Sequence, residues 1–371
     1  MVGKLVTMKN VLILCLYPKD KVPGQRFRFE QYLNYLTENG FNITLSNLLT
    51  EKEYAFFYKK GNYVKKAALA LKSVLKRYSQ LRSASEYDII FIFREVYFLG
   101  NSYFERKFSK KSNVIFDYDD AIWITDTVSE NNKLFKFLKN PDKIRKIISL
   151  SKMVFAGNQF LADYAKKYNN NVIVVPTTID TSEYLPDYNT RNDNKVCIGW
   201  SGSFSTIVHF VTCTEALRLI KEKYGNKVYF KVIGSAQYHN PELDIKGLPW
   251  RRETEVKDLQ EMDIGIMPLP DDEWSRGKCG LKGLQYMALG IPTIMSPVGV
   301  NKKIIQDGEN GFLASDTFEW VEKLSILIDS KELRKKIGCE GRKTVQAKFS
   351  VEANKNLYLK YFNKVIERSA I

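Results

Sequence analysis

Arg276, Lys278 and Lys282 crowd into one short segment, Arg276 to Ser296, that reads as a basic loop, a helix and a buried strand. Leu281, Leu284 and Ala288 give the helix an apolar face, with Met287 beside it. Gly290 stands where a helix ends, and Pro292 prevents its continuation. A helix start presents free N–H groups and the positive end of its dipole, so acidic side chains are the usual neighbours there. Cations at that end make sense when an outside anion binds them, and a phosphate is the natural candidate. The same cations also suit an ordinary helix with a solvated basic end, and the residue types alone leave both readings open.

A second segment points to the same chemistry. Val196-Cys197-Ile198-Gly199-Trp200 is a buried-strand run, Ser201 to Thr206 is a turn of small residues, and Val208 to Ile220 reads as a helix. Such a turn lets backbone N–H groups approach an anion. The hydroxyls of Ser203, Ser205 and Thr206 can cap the helix or bind phosphate.

Both segments resemble retaining glycosyltransferases of family 4. Gln285-Tyr286-Met287-Ala288-Leu289-Gly290-Ile291-Pro292 is similar to the second half of that family's donor signature, and Ile-Gly-Trp-x-Gly-Ser-x-x-Thr (198–206) resembles a variant in its bacterial polysaccharide-type members. The signature's two glutamates fall on Gly277 and Gln285, so both carboxylates are missing; the Gln285 amide can still contact a ribose. The usual Arg of the first turn is also absent, and Arg276 or Lys278 can supply that charge. The resemblance implies an α/β chain of two doubly wound Rossmann-like domains facing across a cleft (GT-B), with the last helix crossing back. Residues 1–176, joined by 352–371, would bind a saccharide or lipid-linked acceptor, and residues 177–351 a nucleotide-sugar donor. Ser203, Ser205, Thr206, Lys278, Arg276 and Lys282 would stabilise the diphosphate leaving group, with Gly202, Gly234, Leu248 and Gln285 lining the nucleotide site, and the anomeric configuration would be retained.

The acceptor side is read from strand ends, because ligands of open α/β sheets bind there. Arg26 or Arg28 can meet a phosphate or sugar, and Arg94-Glu95 an acceptor. The run Asp-x-Asp-Asp-Ala-Ile-Trp (117–123) resembles one in related proteins, which implies that Asp119 or Asp120 faces the sugar or acceptor, and an acceptor hydroxyl there can lose its proton late. Asp117-x-Asp119 also suits a divalent cation; in two doubly wound domains metal-free binding is expected, and no cofactor. Only His209 and His239 are present, too few parts for a triad hydrolase or a zinc enzyme. The rival readings are a nucleotide-sugar 2-epimerase of the same fold, and a non-catalytic nucleotide-sugar- or nucleic-acid-binding protein; no nucleic-acid module accompanies the charge.

These residues need elements to hold them. Alternating strand-like and helix-like runs predict parallel βαβ units. Strands are expected at Val11–Leu16, Phe41–Leu45, Ile89–Phe93, Asn113–Phe116, Met153–Ala156 and Val172–Val175, then at Val196–Trp200, Val228–Ile233, Asp263–Met267 and Thr293–Met295. Helices are expected at Arg26–Asn39, Lys133–Leu150 and Asn158–Tyr168, with three more from Phe318 onward. Pro176 to Asp180 is the expected linker, because Val-Pro-x-x-Ile-Asp (175–180) resembles the domain hinge of the family named above. Ser350 should cap a last helix whose stripe is Leu357, Tyr361, Phe362 and Val365.

The chain has 371 residues, 44% hydrophobic and 13% aromatic, enough for two packed cores. No apolar run approaches the ~20 residues of a membrane span. Five scattered cysteines without a C-x-x-C pair suggest reduced thiols in a cytoplasm. The net charge is +15. Residues 1–190 hold 29 Lys+Arg against 19 Asp+Glu, and residues 191–371 hold 28 against 23. The densest block, Lys59–Arg82, has eight cations and no acid, and places Val64, Ala67, Ala68, Leu71, Val74, Leu75 and Tyr78 near one helical face. A basic amphipathic helix suggests an anionic membrane surface, and so a peripheral enzyme on the inner face; the other reading is a core-packing helix with a solvated basic back.

Overall fold

The computed structural model describes residues 8–57, 59, 61–124, 140, 142–187 and 195–367. The chain forms two units, one of residues 1–176 with 355–371, the other of residues 177–354.

The N-terminal unit is built on six parallel strands: β1 (Lys9–Cys15), β2 (Phe41–Asn47), β3 (Ile89–Phe93), β4 (Asn113–Tyr118), β5 (Met153–Ala156) and β6 (Val172–Val174). Their order is β2-β1-β3-β4-β5-β6. Strands β3 and β5 are buried at every position, as sheets covered on both faces must be. The chain leaves β1 for β2 on one side and returns to β3 on the other, so the crevice between β1 and β3 is a topological switch point, where such sheets bind ligands.

The C-terminal unit repeats the plan. Its strands are β7 (Val196–Ser201), β8 (Val228–Ile233), a hairpin of β9 (His239–Asn240) and β10 (Ile245–Lys246), then β11 (Ile264–Met267), β12 (Thr293–Met295) and β13 (Phe312–Leu313). The parallel sheet runs β13-β12-β11-β7-β8 and has its switch point between β7 and β11. Its core joins Ile198, Trp200, Leu217, Ile264, Ile294 and Leu324.

All ten expected strands are present; the short β13 and the β9–β10 hairpin had no legible pattern. Two expected helices are broken. The run Arg26–Asn39 becomes helix Pro23–Arg28, a tight turn Glu30–Tyr32 and helix Leu33–Glu38. Phe29 leaves helical geometry at φ −126° and packs its ring on Phe91 and Phe93 at 5.7 and 5.6 Å. The run Val208–Ile220 splits into Ile207–Val211 and Thr214–Tyr224, where the Thr212 hydroxyl bonds back to the His209 carbonyl (2.7 Å). Of the expected helix Lys133–Leu150, the part described is Lys143–Leu150; its start, and the seven residues before Met8, lie outside the described residues.

Helix Val351–Glu367 begins beside the Ile179–Ser350 bridge, with the Ser350 hydroxyl accepting from the Ala353 N–H (3.1 Å), and ends inside the N-terminal unit. There Tyr358 stacks on Tyr32 (4.4 Å) and Phe362 meets Phe41 edge-on (5.6 Å). Tyr358, Phe362 and Val365 are the buried hydrophobic residues of this helix; the expected Leu357 and Tyr361 are half-buried.

Helix Tyr63–Arg82 packs by a face other than its apolar stripe, unlike the core-packing reading. It turns Leu69, Ser73, Arg77 and Leu81 inward. Val64, Leu71, Leu75 and Tyr78, from the stripe legible in the sequence, stay exposed. The buried Arg77 guanidinium donates to the carbonyls of Cys15 (2.9 Å), Ser46 (3.3 Å) and Val96 (2.9 Å), pinning the helix across the carboxyl ends of β1, β2 and β3. Among the described residues no helix is long and apolar enough to cross a membrane.

Candidate functional site

In the C-terminal unit the turn Gly202–Thr206 follows β7 directly, at the switch point. It is organised by its own hydroxyls. The Ser203 N–H donates to Thr206 Oγ1 (3.0 Å), and the hydroxyls of Ser203 and Ser205 bond each other (3.0 Å). Gly202 is required by contact: a Cβ there would lie 2.2 Å from the Trp200 indole. The neighbouring turn after β8 presses against it. The Gly202 N–H donates to the Ile233 carbonyl (2.9 Å), and Gly234 takes φ +95° with no room for a side chain, since a Cβ would stand 1.9 Å from the Gly202 carbonyl oxygen. The Gly234 N–H in turn donates to the Leu248 carbonyl (2.7 Å), and Leu248 is part-exposed beside it. Gly202, Ser203, Ser205, Thr206, Gly234 and Leu248 therefore form one continuous surface.

Helix Leu281–Ala288 supplies the charge. The Lys282 ammonium lies 5.0 Å from the centroid of the Trp200 ring. One turn further on, the buried Tyr286 hydroxyl accepts from the Ser201 N–H (2.7 Å), locking this helix to the end of β7. Burial pushes the Tyr286 phenol up to about 12. Lys278 is half-buried with its ammonium 4.6 Å from the Trp274 ring. Arg276 has different surroundings: it is exposed and ion-paired with Asp271 (2.8 Å), an interaction that lowers the Asp271 carboxyl below its ordinary value. Gln285 points inward. Its buried amide donates to the Tyr184 hydroxyl (3.0 Å) and to Glu255 (3.2 Å), and Tyr184 and the Trp250 indole also donate to that carboxylate. The N–H groups of the Gln285 amide are thus used inside the unit.

In the N-terminal unit the strand ends gather Gly24, Arg94, Asp119 and Asp120. Arg94 directly follows β3 and takes the left-handed conformation, φ 60°, rare for a side chain of its size. Its guanidinium is ion-paired with Asp119 (2.7 Å) and Asp120 (2.8 Å). Those two carboxylates raise the Arg94 pKa above its ordinary value, outweighing the burial that lowers it. Gly24, beyond β1, brings its backbone against this clasp: a Cβ would sit 3.0 Å from Asp119 Oδ2. Asp117 and Arg28 are placed elsewhere. Both side chains are fully buried and paired with each other, and the Arg28 carbonyl accepts from the Tyr358 hydroxyl (2.5 Å). This is a core pair, with neither group open to a ligand. Arg26 is buried with its guanidinium over the Phe27 ring (4.2 Å), and Glu95 is paired with Lys143 (2.9 Å). No group of three or more His, Cys, Asp or Glu able to hold a metal ion occurs among the described residues.

Residues 195–330 match the family described as glycosyl transferases group 1. The match spans the Gly202–Thr206 turn, the Gly234 turn and the Lys278–Gln285 segment. A curated relative, trehalose synthase of Pyrococcus horikoshii, is 30% identical over 151 residues, 41% of this chain and 32% of that protein; the chain thus spans about a third of its length. Among solved structures, sucrose-phosphate synthase of Thermosynechococcus elongatus aligns over 97% of this chain and all of its own, with a TM-score of 0.68 and 12% identity. HepE of Anabaena, solved with UDP-glucose, aligns over 96% of this chain and 99% of its own, with a TM-score of 0.66 and 13% identity. These likenesses establish the fold, two parallel α/β sheets of the GT-B type.

Sequence reasoning missed two residues that shape these surfaces. Trp200 was visible only as part of a buried-strand run and Tyr286 only as a member of the 285–292 motif, although one lies under a lysine and the other holds a backbone N–H. Arg94 was legible as a strand-end residue; its left-handed backbone had no signal, because Arg is not a residue that favours that region.

Proposed function

We propose that this chain is a glycosyltransferase that moves a sugar from a nucleotide-sugar donor to a saccharide or lipid-linked acceptor, with retention at the anomeric carbon, in bacterial surface polysaccharide assembly. The observation that carries the reading is the β7 switch point, where a small-residue turn, the Gly234 turn and Lys282 converge within the segment matched by the glycosyl transferases group 1 family. The UDP-glucose in the HepE structure supports a nucleotide sugar as the ligand of this unit.

On this reading the diphosphate lies over Gly202–Thr206, and its developing charge is stabilised by backbone N–H groups, Lys282 and Lys278. Donors placed in advance where charge will appear need no reorganisation during the reaction. Arg276 is the weaker contributor, because Asp271 already offsets its charge. The acceptor hydroxyl would approach the Arg94–Asp119–Asp120 clasp, whose carboxylates are held in fixed positions to accept its hydrogen bond. Binding without metal is supported by the pairing of both Asp117 and Asp119 with arginines.

The test is a thermal-shift panel of UDP-, GDP-, ADP- and CMP-sugars with and without EDTA, followed by turnover of the stabilising donor. A ligand that binds only the folded state raises the melting temperature. A rise that EDTA leaves unchanged, with turnover that needs an acceptor, is expected. Donor conversion without acceptor would instead indicate a 2-epimerase, and near-normal turnover in Lys278→Ala and Lys282→Ala would remove the leaving-group assignment.

A further inference from the structure

Helix Tyr63–Arg82 presents two different faces. The inner face is fixed by Leu69, Ser73, Arg77 and Leu81. The outer face carries Tyr63, Val64, Leu71, Leu75 and Tyr78, with 70%, 85%, 63%, 61% and 44% of their surfaces open to solvent. At 3.6 residues per turn, positions 64, 71, 75 and 78 fall along one line of a helix about 30 Å long. Scattered exposed apolar residues are ordinary, but a continuous line of them on one face is not.

The charges that the helix itself places around this line are all positive. Lys65, Lys72 and Lys76 flank it along one side, and the helix itself has no acidic residue. Lys72 is paired with Glu53 (2.6 Å) yet remains largely exposed. On its other side the line meets helix Tyr103–Ser109: Tyr78 and Tyr103 rings lie 6.0 Å apart, and the Lys107 ammonium stands 5.7 Å from the Tyr103 ring. Tyr103 is itself part-exposed, so the apolar surface continues onto the second helix before it reaches a cation again.

We propose that this surface docks the protein on an anionic lipid bilayer, with Val64, Leu71, Leu75 and Tyr78 entering the headgroup–acyl boundary and Lys65, Lys72, Lys76 and Lys107 contacting lipid phosphates. Charge complementarity selects this occupant. A symmetric pairing of two copies through the same face would set lysines against lysines, with no acid on the helix to meet them. An anionic bilayer meets both the apolar line and its basic margins. The rigid seat of the helix suits the task, because Arg77 holds it to three carbonyls at the sheet edge while its outer face remains free of the core.

Full-length protein is sedimented with vesicles of phosphatidylcholine alone and with vesicles in which about a third of the lipid is phosphatidylglycerol. Binding to the anionic vesicles, weakened by salt, is expected. Leu71→Glu with Leu75→Glu should lower the bound fraction at least tenfold, and Lys65→Gln with Lys72→Gln and Lys76→Gln should do the same. All five residues are exposed, but Lys72 is paired with Glu53 and the Lys76 ammonium donates to the Asn47 carbonyl, so the melting temperature of each variant is measured beside its binding to separate lost docking from lost folding. Equal sedimentation with both vesicle types would overturn the proposal. So would unchanged binding by both variants, or a dimer in light scattering that Leu71→Glu with Leu75→Glu dissolves while vesicle binding persists.

Discussion

Replacing Gly234 by alanine tests the packing that shapes the donor surface. Two costs add at this position. The backbone has φ +95°, a conformation that costs an L-residue about 1–2 kcal/mol. A Cβ would also stand 1.9 Å from the Gly202 carbonyl oxygen, and because that neighbour is backbone the two turns must separate. Overpacking of this kind costs about 1–3 kcal/mol. The sum is about 2–5 kcal/mol. Gly308 is the matched control in the same unit: its φ is +78°, but nothing lies within 4 Å of its would-be Cβ, so Gly308→Ala should cost only the backbone part, about 1–2 kcal/mol. For a unit of this size each kcal/mol lowers Tm by about 2–4 °C, so Gly234→Ala should melt roughly 10 °C below the parent and Gly308→Ala roughly 4 °C below it. Differential scanning calorimetry gives both shifts, and titration with UDP-sugars should show weakened binding only in Gly234→Ala. If the two variants melt together and bind alike, the turns are not packed against each other as described.

Other expectations follow from single side chains. Lys282→Ala should cut turnover about 100-fold or more while Tm moves little, measured with saturating donor. Arg28→Ala leaves the Asp117 carboxylate buried without its partner and should cost about 3–5 kcal/mol in denaturant unfolding; a cost below 1 kcal/mol would mean that water reaches Asp117. Arg94→Ala should lower turnover more than Arg94→Lys, and Arg94→Gly should be more stable than Arg94→Ala by about 1 kcal/mol because glycine relieves the left-handed backbone. Tyr286 titrates near 10 when unfolded and near 12 when folded, so its contribution is fully present below pH 10 and is lost as pH rises towards 12; the change is worth up to about 3 kcal/mol. Tyr286→Phe should flatten the stability profile in that window, and an unchanged slope would place the alkaline transition on another group.

What the sequence made legible was mostly periodic or punctuated. Strands such as Ile89–Phe93 announce themselves because a sheet covered on both faces needs an unbroken apolar run. The turn after β7 was visible as small residues between a strand and a helix. Long-range partnership was not visible. Nothing adjacent to Gln285 reveals that Glu255 and Tyr184 will take its amide, and nothing adjacent to Asp117 reveals that Arg28 will neutralise it. The helix Tyr63–Arg82 shows the same limit: its apolar stripe was correctly placed on one face, but the inward face is decided by Arg77, a charged residue whose partners are carbonyls on three separate strand ends. Periodicity assigns a face; it does not say whether that face meets the core or the surroundings.

The membership of residues 355–367 in the N-terminal unit bears on how the protein is made. Tyr358 and Phe362 complete an aromatic layer with Tyr32, Phe41, Phe91 and Phe155. The ribosome delivers them only after residues 177–354, so for about 10–40 s at ordinary elongation rates the nascent N-terminal sheet waits with that layer uncovered. During this interval it is open to chaperones and to premature association. A release of the chain ahead of Tyr358 would yield a fragment in which the C-terminal unit is whole while the first-synthesised unit lacks its last wall.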